Sequence, residues 1–322
     1  MEPPDLQRQE IWPVGNAGQQ RRRAMAPHIN EPDLEPTDMN QTVYSQSFKG
    51  IQHKRTLAQF SLENTVTVVT GGAQGLGLVM TQALVASGSN VAIVDLKRTE
   101  GEYQARKLLQ QFSRENPGSK VLPTITAHFA DVSKPESVNR AIDEVLEQHG
   151  KIDNLVTSAG FTENFAAIDY PYDRMQKCWG VNVDGTYLFA VGVAKHLIGR
   201  KAPGSIVMIG SMSGTVVNVP QPQAPYNAAK AAVRQLAASL AVEWAPYNIR
   251  VNCISPGYIM TALTRKILNE NPDLEAKWTS LIPTGKMGLP EDLMGPVTFL
   301  LSDASKYVTG ADLRVDGGYT IA

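Results

Sequence analysis

From Asn64 onward, short runs rich in β-branched residues alternate with longer amphipathic segments. The runs are "TVTVVT", "NVAIVD", "TITAHF", "NLVTSA", "SIVMIG" and "IRVNCI". A brief apolar run reads as a strand buried on both faces, and a longer stretch with apolar residues three and four apart reads as a helix packed on one side. Strands that recur with helices between them pair in parallel, because each crossover helix returns the chain to the same end of the sheet. The chain is therefore expected to be α/β, a single-domain, doubly wound parallel sheet with helices on both faces. Helices are expected near 75–87, 100–115, 135–148, 173–199, 226–245, 261–281 and 291–301. Prolines at 272 and 283 mark 261–283 as a candidate lid.

The alternation stops toward the amino terminus. Residues 1–60 are rich in proline, glutamine, asparagine and charge, with little apolar periodicity, so they bury too little surface to offset ordering entropy. They are read as a flexible extension, and 61–322 as the folded domain. A net charge of −1 supplies no field to attract a polyanion, which argues against nucleic acid and for a small-molecule partner. No apolar run approaches the ~18 residues that span a bilayer, and "MEPPDLQRQE" lacks the apolar core of a secretory signal. Acids around Arg21, Arg22 and Arg23 run against a transit peptide, so a soluble cytoplasmic protein is expected. Cys178 and Cys253 are too few for a disulfide framework and read as small buried residues. His28, His53, His128, His149 and His196 are scattered without chelating spacing, so no metal is expected.

The first strand runs into "TGGAQGLG" and then an apolar helical pattern. Glycines at such a turn remove the side chains that would keep a pyrophosphate from the backbone amides and the positive end of the helix. Gly71, Gly75 and Gly77 are the residues concerned, with Gln74 and Leu76 between them. Their spacing departs from G-x-G-x-x-G, and a tight connection alone would also use glycine. Asp95 closes the next strand, where a carboxylate accepts hydrogen bonds from the ribose hydroxyls of NAD and repels the extra phosphate of NADP. The sheet is thus expected to be a Rossmann-type dinucleotide-binding domain with a preference for NAD. Lys97 and Arg98 follow closely, either as a solvated helix start or as cations that admit NADP.

Tyr226 and Lys230 stand four residues apart at the start of an alanine-rich helical segment. Positions i and i+4 share one helix face, so a phenol and an amine there can reach one small molecule as an acid/base pair. A surface pair has the same spacing.

The ordered set "TGGAQGLG", Asp131 after the third strand, "TSAG", Asn182 in "VNVDG", Ser211 in "IGSMSG", "YNAAK", "SPG" and "VDGGY" resembles the short-chain dehydrogenase/reductase family from about Asn64 to the end. The resemblance implies hydride transfer between a nicotinamide cofactor and a secondary alcohol or ketone. Tyr226 then exchanges the proton, since hydride loss from an alcohol needs a base and carbonyl reduction an acid. A free phenol has pKa ~10, and a neighbouring ammonium together with a cationic nicotinamide is expected to lower it. Lys230 would hold the ribose hydroxyls and polarise Tyr226, while Ser211 bonds the substrate oxygen. The family places Asn182 at a helix irregularity that holds water linking Lys230 to solvent. By resemblance, Asp131 and Val132 flank the adenine, Ala159 and Gly160 the adenosine ribose, and Pro256, Gly257, Ile259 and Thr261 the nicotinamide. Thr157-Ser158 stand where the family has Asn-Asn before Ala159, so the resemblance carries over the backbone role there but not the side-chain contact. The resemblance also implies a homotetramer that pairs helices and the final strand region, although packing of a terminal strand within one subunit explains "DASKYVTGADLRVDGGYTIA" equally well.

Within the family, "NVPQPQ" between Ser211 and Tyr226 resembles fungal polyol dehydrogenases and ketose reductases, implying a pair such as D-arabinitol and D-ribulose. Ser213, Asn218, Gln221 and Gln223 supply hydroxyl and amide groups suited to a polyol. A proline-rich surface loop explains the glutamines as simply. Reduction of a bulkier ketone, and cofactor sensing without catalysis, are the competing readings.

Overall fold

All six β-branched runs form strands, and a seventh joins them. The computed structural model describes residues 56–119 and 121–322. Its strands are β1 (Val66–Thr70), β2 (Asn90–Asp95), β3 (Ile125–Phe129), β4 (Asn154–Thr157), β5 (Gly204–Ile209), β6 (Ile249–Pro256) and β7 (Asp312–Val315). They pair in parallel in the order β3-β2-β1-β4-β5-β6-β7. The helices are α1 (Gly75–Ala86), α2 (Arg98–Glu115), α3 (Pro135–His149), α4 (Tyr172–Trp179), α5 (Gly185–Arg200), α6 (Ala224–Trp244), α7 (Ala262–Glu270), α8 (Pro272–Ser280) and α9 (Met294–Leu301).

Side chains alternate across a strand, so neighbouring residues feed opposite layers. Val68, Leu155, Ile206 and Met208 pack with α3, α5 and α6, while Val69, Val156, Val207 and Ile209 pack with α1 and α9. Both faces are therefore apolar, and each buried aliphatic side chain contributes roughly 1.5–3 kcal/mol.

Three expectations change. The helix expected over 173–199 is interrupted by a π turn, Gly180–Asp184, between α4 and α5. The helix expected over 261–281 divides at Asn271, where Pro272 opens α8 because it has no amide to continue α7. This segment is also anchored: Met212, Tyr258, Leu268, Trp278, Ile282 and Met287 form a third apolar cluster. Of the expected flexible extension, residues 1–55 lie outside the described residues, but Thr56–Phe60 form a 3-10 turn. Phe60 meets Phe299 with ring centroids 6.2 Å apart, so ordered structure begins before residue 61. Among the described residues, no helix is long and apolar enough to cross a membrane.

Candidate active site

β1 and β4 are neighbours, but the chain leaves β1 for the α1 layer and leaves β4 for the α5 layer. Diverging connections open a crevice at the carboxyl ends of the strands, where ligands of doubly wound sheets bind. The residues singled out from the sequence follow β1 through β6 at this edge.

Gly71 has φ +66°, and a Cβ there would lie 2.8 Å from the Ala159 Cα. Gly75 has φ +58° and faces open space, with nothing within 4 Å of a built Cβ. A Cβ on Gly77 would overlap the Gly71 carbonyl, so its absence lets α1 close onto the turn. Gln74 makes no side-chain cap to α1. Unblocked amides at the positive end of a helix, beside an open glycine, suit a pyrophosphate. Leu76 packs at the edge of the α1 layer.

Asp95 is buried at the end of β2, its Oδ2 accepting from the Ala73 amide at 3.2 Å and its Oδ1 from the Lys97 amide at 3.0 Å. The carboxylate therefore also ties the glycine turn to β2. Lys97 Nζ donates to Gln74 Oε1 at 3.0 Å, and Arg98 pairs with Glu102 along α2. Asp131 Oδ1 accepts from the Ser133 amide and hydroxyl. Val132 points into the core rather than the crevice, leaving only its backbone to meet a ligand. The Ala159 amide donates to Thr70 Oγ1 at 3.2 Å, and Thr157 Oγ1 has no partner.

Tyr226 lies in the first turn of α6 and Lys230 one turn on, with Ser211 just beyond β5. Lys230 is 6% exposed and donates to the Ile209 carbonyl at 2.8 Å, with its ammonium 5.6 Å from the Tyr226 ring centre. Burial pulls Lys230 down to about 8, because a desolvated ammonium is disfavoured. Burial likewise pushes the Tyr226 phenol up to about 12, opposed by its hydrogen bond with Ser211. Asn182 sits in the π turn, where an extra residue swings its side chain inward. Its Nδ2 donates to the carbonyls of Phe161 at 2.9 Å and Cys178 at 3.0 Å, while Oδ1 is buried without a partner. A Cβ on Gly160 would lie 2.7 Å from that oxygen and 3.5 Å from Lys230 Nζ.

The residues expected to meet substrate divide. Ser213 lies beside Ser211, their hydroxyls 3.0 Å apart. Asn218 is only 2% exposed, with Oδ1 on Gln223 Nε2 at 2.9 Å and Nδ2 on the Tyr258 hydroxyl at 3.4 Å. Gln221 Oε1 accepts from that same hydroxyl at 2.8 Å. Asn218, Gln221 and Gln223 thus brace the loop against the protein, because buried amides need protein partners. Gly257 passes so close to Asp316 that a Cβ would come within 2.7 Å of its Cα. Pro256 ends β6, and Ile259 is buried and bridged to Gly288. Thr261 caps α7 through the Thr264 amide at 3.1 Å.

Sequence reasoning missed the aromatic wall behind this loop. Tyr258 stacks on Trp278 at 4.3 Å and meets Tyr319 edge-on at 5.5 Å. The closing "VDGGY" was the available signal: Gly317 at φ +64° and Gly318 at φ +90° turn Tyr319 onto the site. His128 and His149, scattered in sequence, meet at Thr126, whose Oγ1 lies 2.8 Å and 2.7 Å from their Nε2 atoms.

A doubly wound sheet with a glycine turn at its switch point, and a buried lysine one turn from a tyrosine beside a serine, has the build of a nicotinamide-dependent alcohol dehydrogenase or ketone reductase. Residues 71–320 match the family model described as Enoyl-(Acyl carrier protein) reductase. The chain belongs to the short-chain dehydrogenase/reductase family. It is 42% identical over 264 residues to D-arabinitol 2-dehydrogenase (ribulose-forming) of Candida albicans (strain WO-1), covering 81% of this chain and 94% of the relative. It is 40% identical to the NADH-dependent L-xylulose reductase of Ambrosiozyma monospora, covering 81% of this chain and 97% of the relative. Among solved structures it resembles a gluconate 5-dehydrogenase from Burkholderia cenocepacia J2315 in complex with NADP and tartrate. That match has a TM-score of 0.74 at 32% identity and covers 83% of this chain and 99% of the other. The protein is an oxidoreductase that moves a hydride between an alcohol and a ketone with a nicotinamide cofactor.

Proposed function

We propose that the substrate is a polyol/ketose pair of the D-arabinitol and D-ribulose type, and that NAD is the preferred cofactor. The observation that carries this reading is the meeting of Ser211, Tyr226 and Lys230 at the crevice, with the Ser213 hydroxyl beside Ser211. The names of the relatives support the sugar class.

In this reading Gly71, Gln74, Gly75, Leu76 and Gly77 hold the pyrophosphate, with Gly75 opening the space it needs. Asp95 receives the ribose hydroxyls through lone pairs left over from its two backbone bonds. The Lys97 ammonium, already engaged by Gln74, is the weaker influence, which favours NAD. Asp131 and the Val132 backbone border the adenine, Ala159 and Gly160 the ribose, and Pro256, Gly257, Ile259 and Thr261 the nicotinamide. When bound, the nicotinamide ring accepts or supplies the hydride.

The chain's own residues handle the proton. Tyr226, a phenol protonated at neutral pH, is suited to donate to the oxygen of a ketone, and must be drawn down by added positive charge to accept from an alcohol. Ser211 bonds the same oxygen. Lys230 keeps positive charge next to Tyr226, and the unpartnered Oδ1 of Asn182 is placed to hold water toward Lys230.

The described cysteines are both free and buried, which supports a cytoplasmic setting. A groove of about 670 Å³ along α5 and α6, lined by Tyr187, Leu188 and Leu236, supports assembly as a homotetramer through paired helices. Sedimentation as a monomer would dismiss that assembly. The main test is a panel of polyols and ketoses with NAD(H) and NADP(H) side by side. D-arabinitol oxidation and D-ribulose reduction with NAD(H) are expected; turnover confined to bulky apolar ketones rejects the sugar reading.

A further inference from the structure

The loop that joins the Ser211 turn to α6 has little of its own to hold it. Val217 is 75% exposed and Val219 53%, so apolar burial does not fix its middle. Among the described residues, no backbone–backbone hydrogen bond involves 217–221. The chain is caught again at Pro222, whose carbonyl accepts from the Phe165 amide at 3.0 Å. The polar hold on the middle therefore falls to the side chains of Asn218 and Gln221.

Both reach one phenol. The Tyr258 hydroxyl donates to Gln221 Oε1 at 2.8 Å and accepts from Asn218 Nδ2 at 3.4 Å, within the one proton and two lone pairs it has. Its ring stacks on Trp278 of α8 and shares an apolar cluster with Leu268 of α7 and with Met212, the residue between Ser211 and Ser213. One side chain thus joins the loop to the α7–α8 segment. The Tyr258 backbone is held separately: the Gly257 amide donates to the Val315 carbonyl at 2.9 Å, and the Gly288 amide to the Tyr258 carbonyl at 2.9 Å. Loss of the hydroxyl therefore frees the loop and leaves the backbone of Gly257 and Ile259, on the cofactor side, in place.

We infer that Tyr258 is a positioning residue: its hydroxyl holds the loop between Ser211 and Tyr226 in the form that receives substrate, and its ring ties that loop to α8. The inference rests on the reading of Ser211 and Tyr226 as the reacting site, and not on which alcohol is used. A loop already in its bound form spares the substrate the cost of ordering it. A loop that samples other forms weakens apparent binding in proportion to the competent fraction it has lost. Once substrate is bound the loop is ordered in either case, so the chemical step is unaltered.

The test compares the parent with Tyr258→Phe, Gln221→Met, the double variant and Ser211→Ala, on the secondary alcohol that the parent oxidises fastest. Tyr258→Phe keeps the ring on Trp278 and removes only the hydroxyl. KM for the alcohol is expected to rise about five- to tenfold, the worth of a hydrogen bond, with kcat and the dissociation constant for NAD unchanged. Gln221→Met removes the same bond from the loop side and should also raise KM alone. The double variant should match Tyr258→Phe, because the two changes break one shared contact. A parental KM in Tyr258→Phe, a loss confined to kcat, or additive effects in the double variant overturns the inference. If Tyr258→Phe does not fold, a parental KM in Gln221→Met overturns it. Parental kcat in Ser211→Ala instead overturns the reading of the site itself.

Discussion

Lys230 donates its ammonium to the carbonyl of Ile209, 2.8 Å away, so the cation beside Tyr226 is fastened to the last residue of β5. Ser211 lies two positions further along. One backbone oxygen thus sets the spacing between the lysine on α6 and the serine beyond β5, and the sheet edge holds the pair in register.

Replacing Tyr226 by Phe removes the only proton-exchanging atom of that side chain and leaves its ring packed. Turnover is expected to fall by about 10²–10⁴-fold, the usual worth of general acid/base catalysis. Far-ultraviolet circular dichroism and cofactor binding should stay as in the parent. A folded Phe variant with near-parental kcat would refute the proton-exchange role.

Asp95→Ser removes the carboxylate at the end of β2 and frees the Ala73 and Lys97 amides it holds. The ratio of kcat/KM for NAD over NADP is expected to drop by about tenfold or more, as a hydrogen-bonded charge is lost and repulsion of the extra phosphate relieved. Steady-state kinetics with both cofactors checks this, and an unchanged ratio rejects the ribose assignment.

Gly160→Ala drives a methyl to 2.7 Å from Asn182 Oδ1 and 3.5 Å from Lys230 Nζ. Either Asn182 or the loop must shift, which disturbs the buried amine rather than the core. We expect kcat to fall by about tenfold, since an ångström of misplacement at a reacting centre is costly, with a melting temperature close to the parent's. Parental kcat in this variant would show that the approach of Gly160 to Asn182 has no bearing on the reaction.

Stability should fall below neutral pH. Burial lowers the pKa of His128, of His196, and of His149 to about 4, so the unfolded chain binds these protons first. The stabilisation by neutral histidine is complete above about pH 6.5 and is lost as pH drops from there toward 4. Asp153 and Asp316, whose carboxyls are held below their ordinary value, add their loss only at lower pH. Urea midpoints measured across this range should decline in the parent and decline less in His149→Gln. Equal slopes would assign the effect elsewhere.

The alternation of β-branched runs with amphipathic segments determined the sheet, its parallel pairing and its helical layers, because strand and helix periods are written in residues a few positions apart. The glycine turn, Asp95 at a strand end and the four-residue step from Tyr226 to Lys230 were legible for the same reason: each depends on local spacing along one element. Tertiary structure alone decided where the polar side chains point. Asn218, Gln221 and Gln223 turn inward because Tyr258 and Thr162 arrive from distant parts of the chain to pair with their amides. The high pKa of Tyr226 and the low one of Lys230 likewise arise from desolvation by several elements at once, and the bulge at Asn182 from packing of α4 and α5 onto α6. Hydrogen-bond direction and dielectric environment are properties of the assembled interior, and no short stretch of chain contains them.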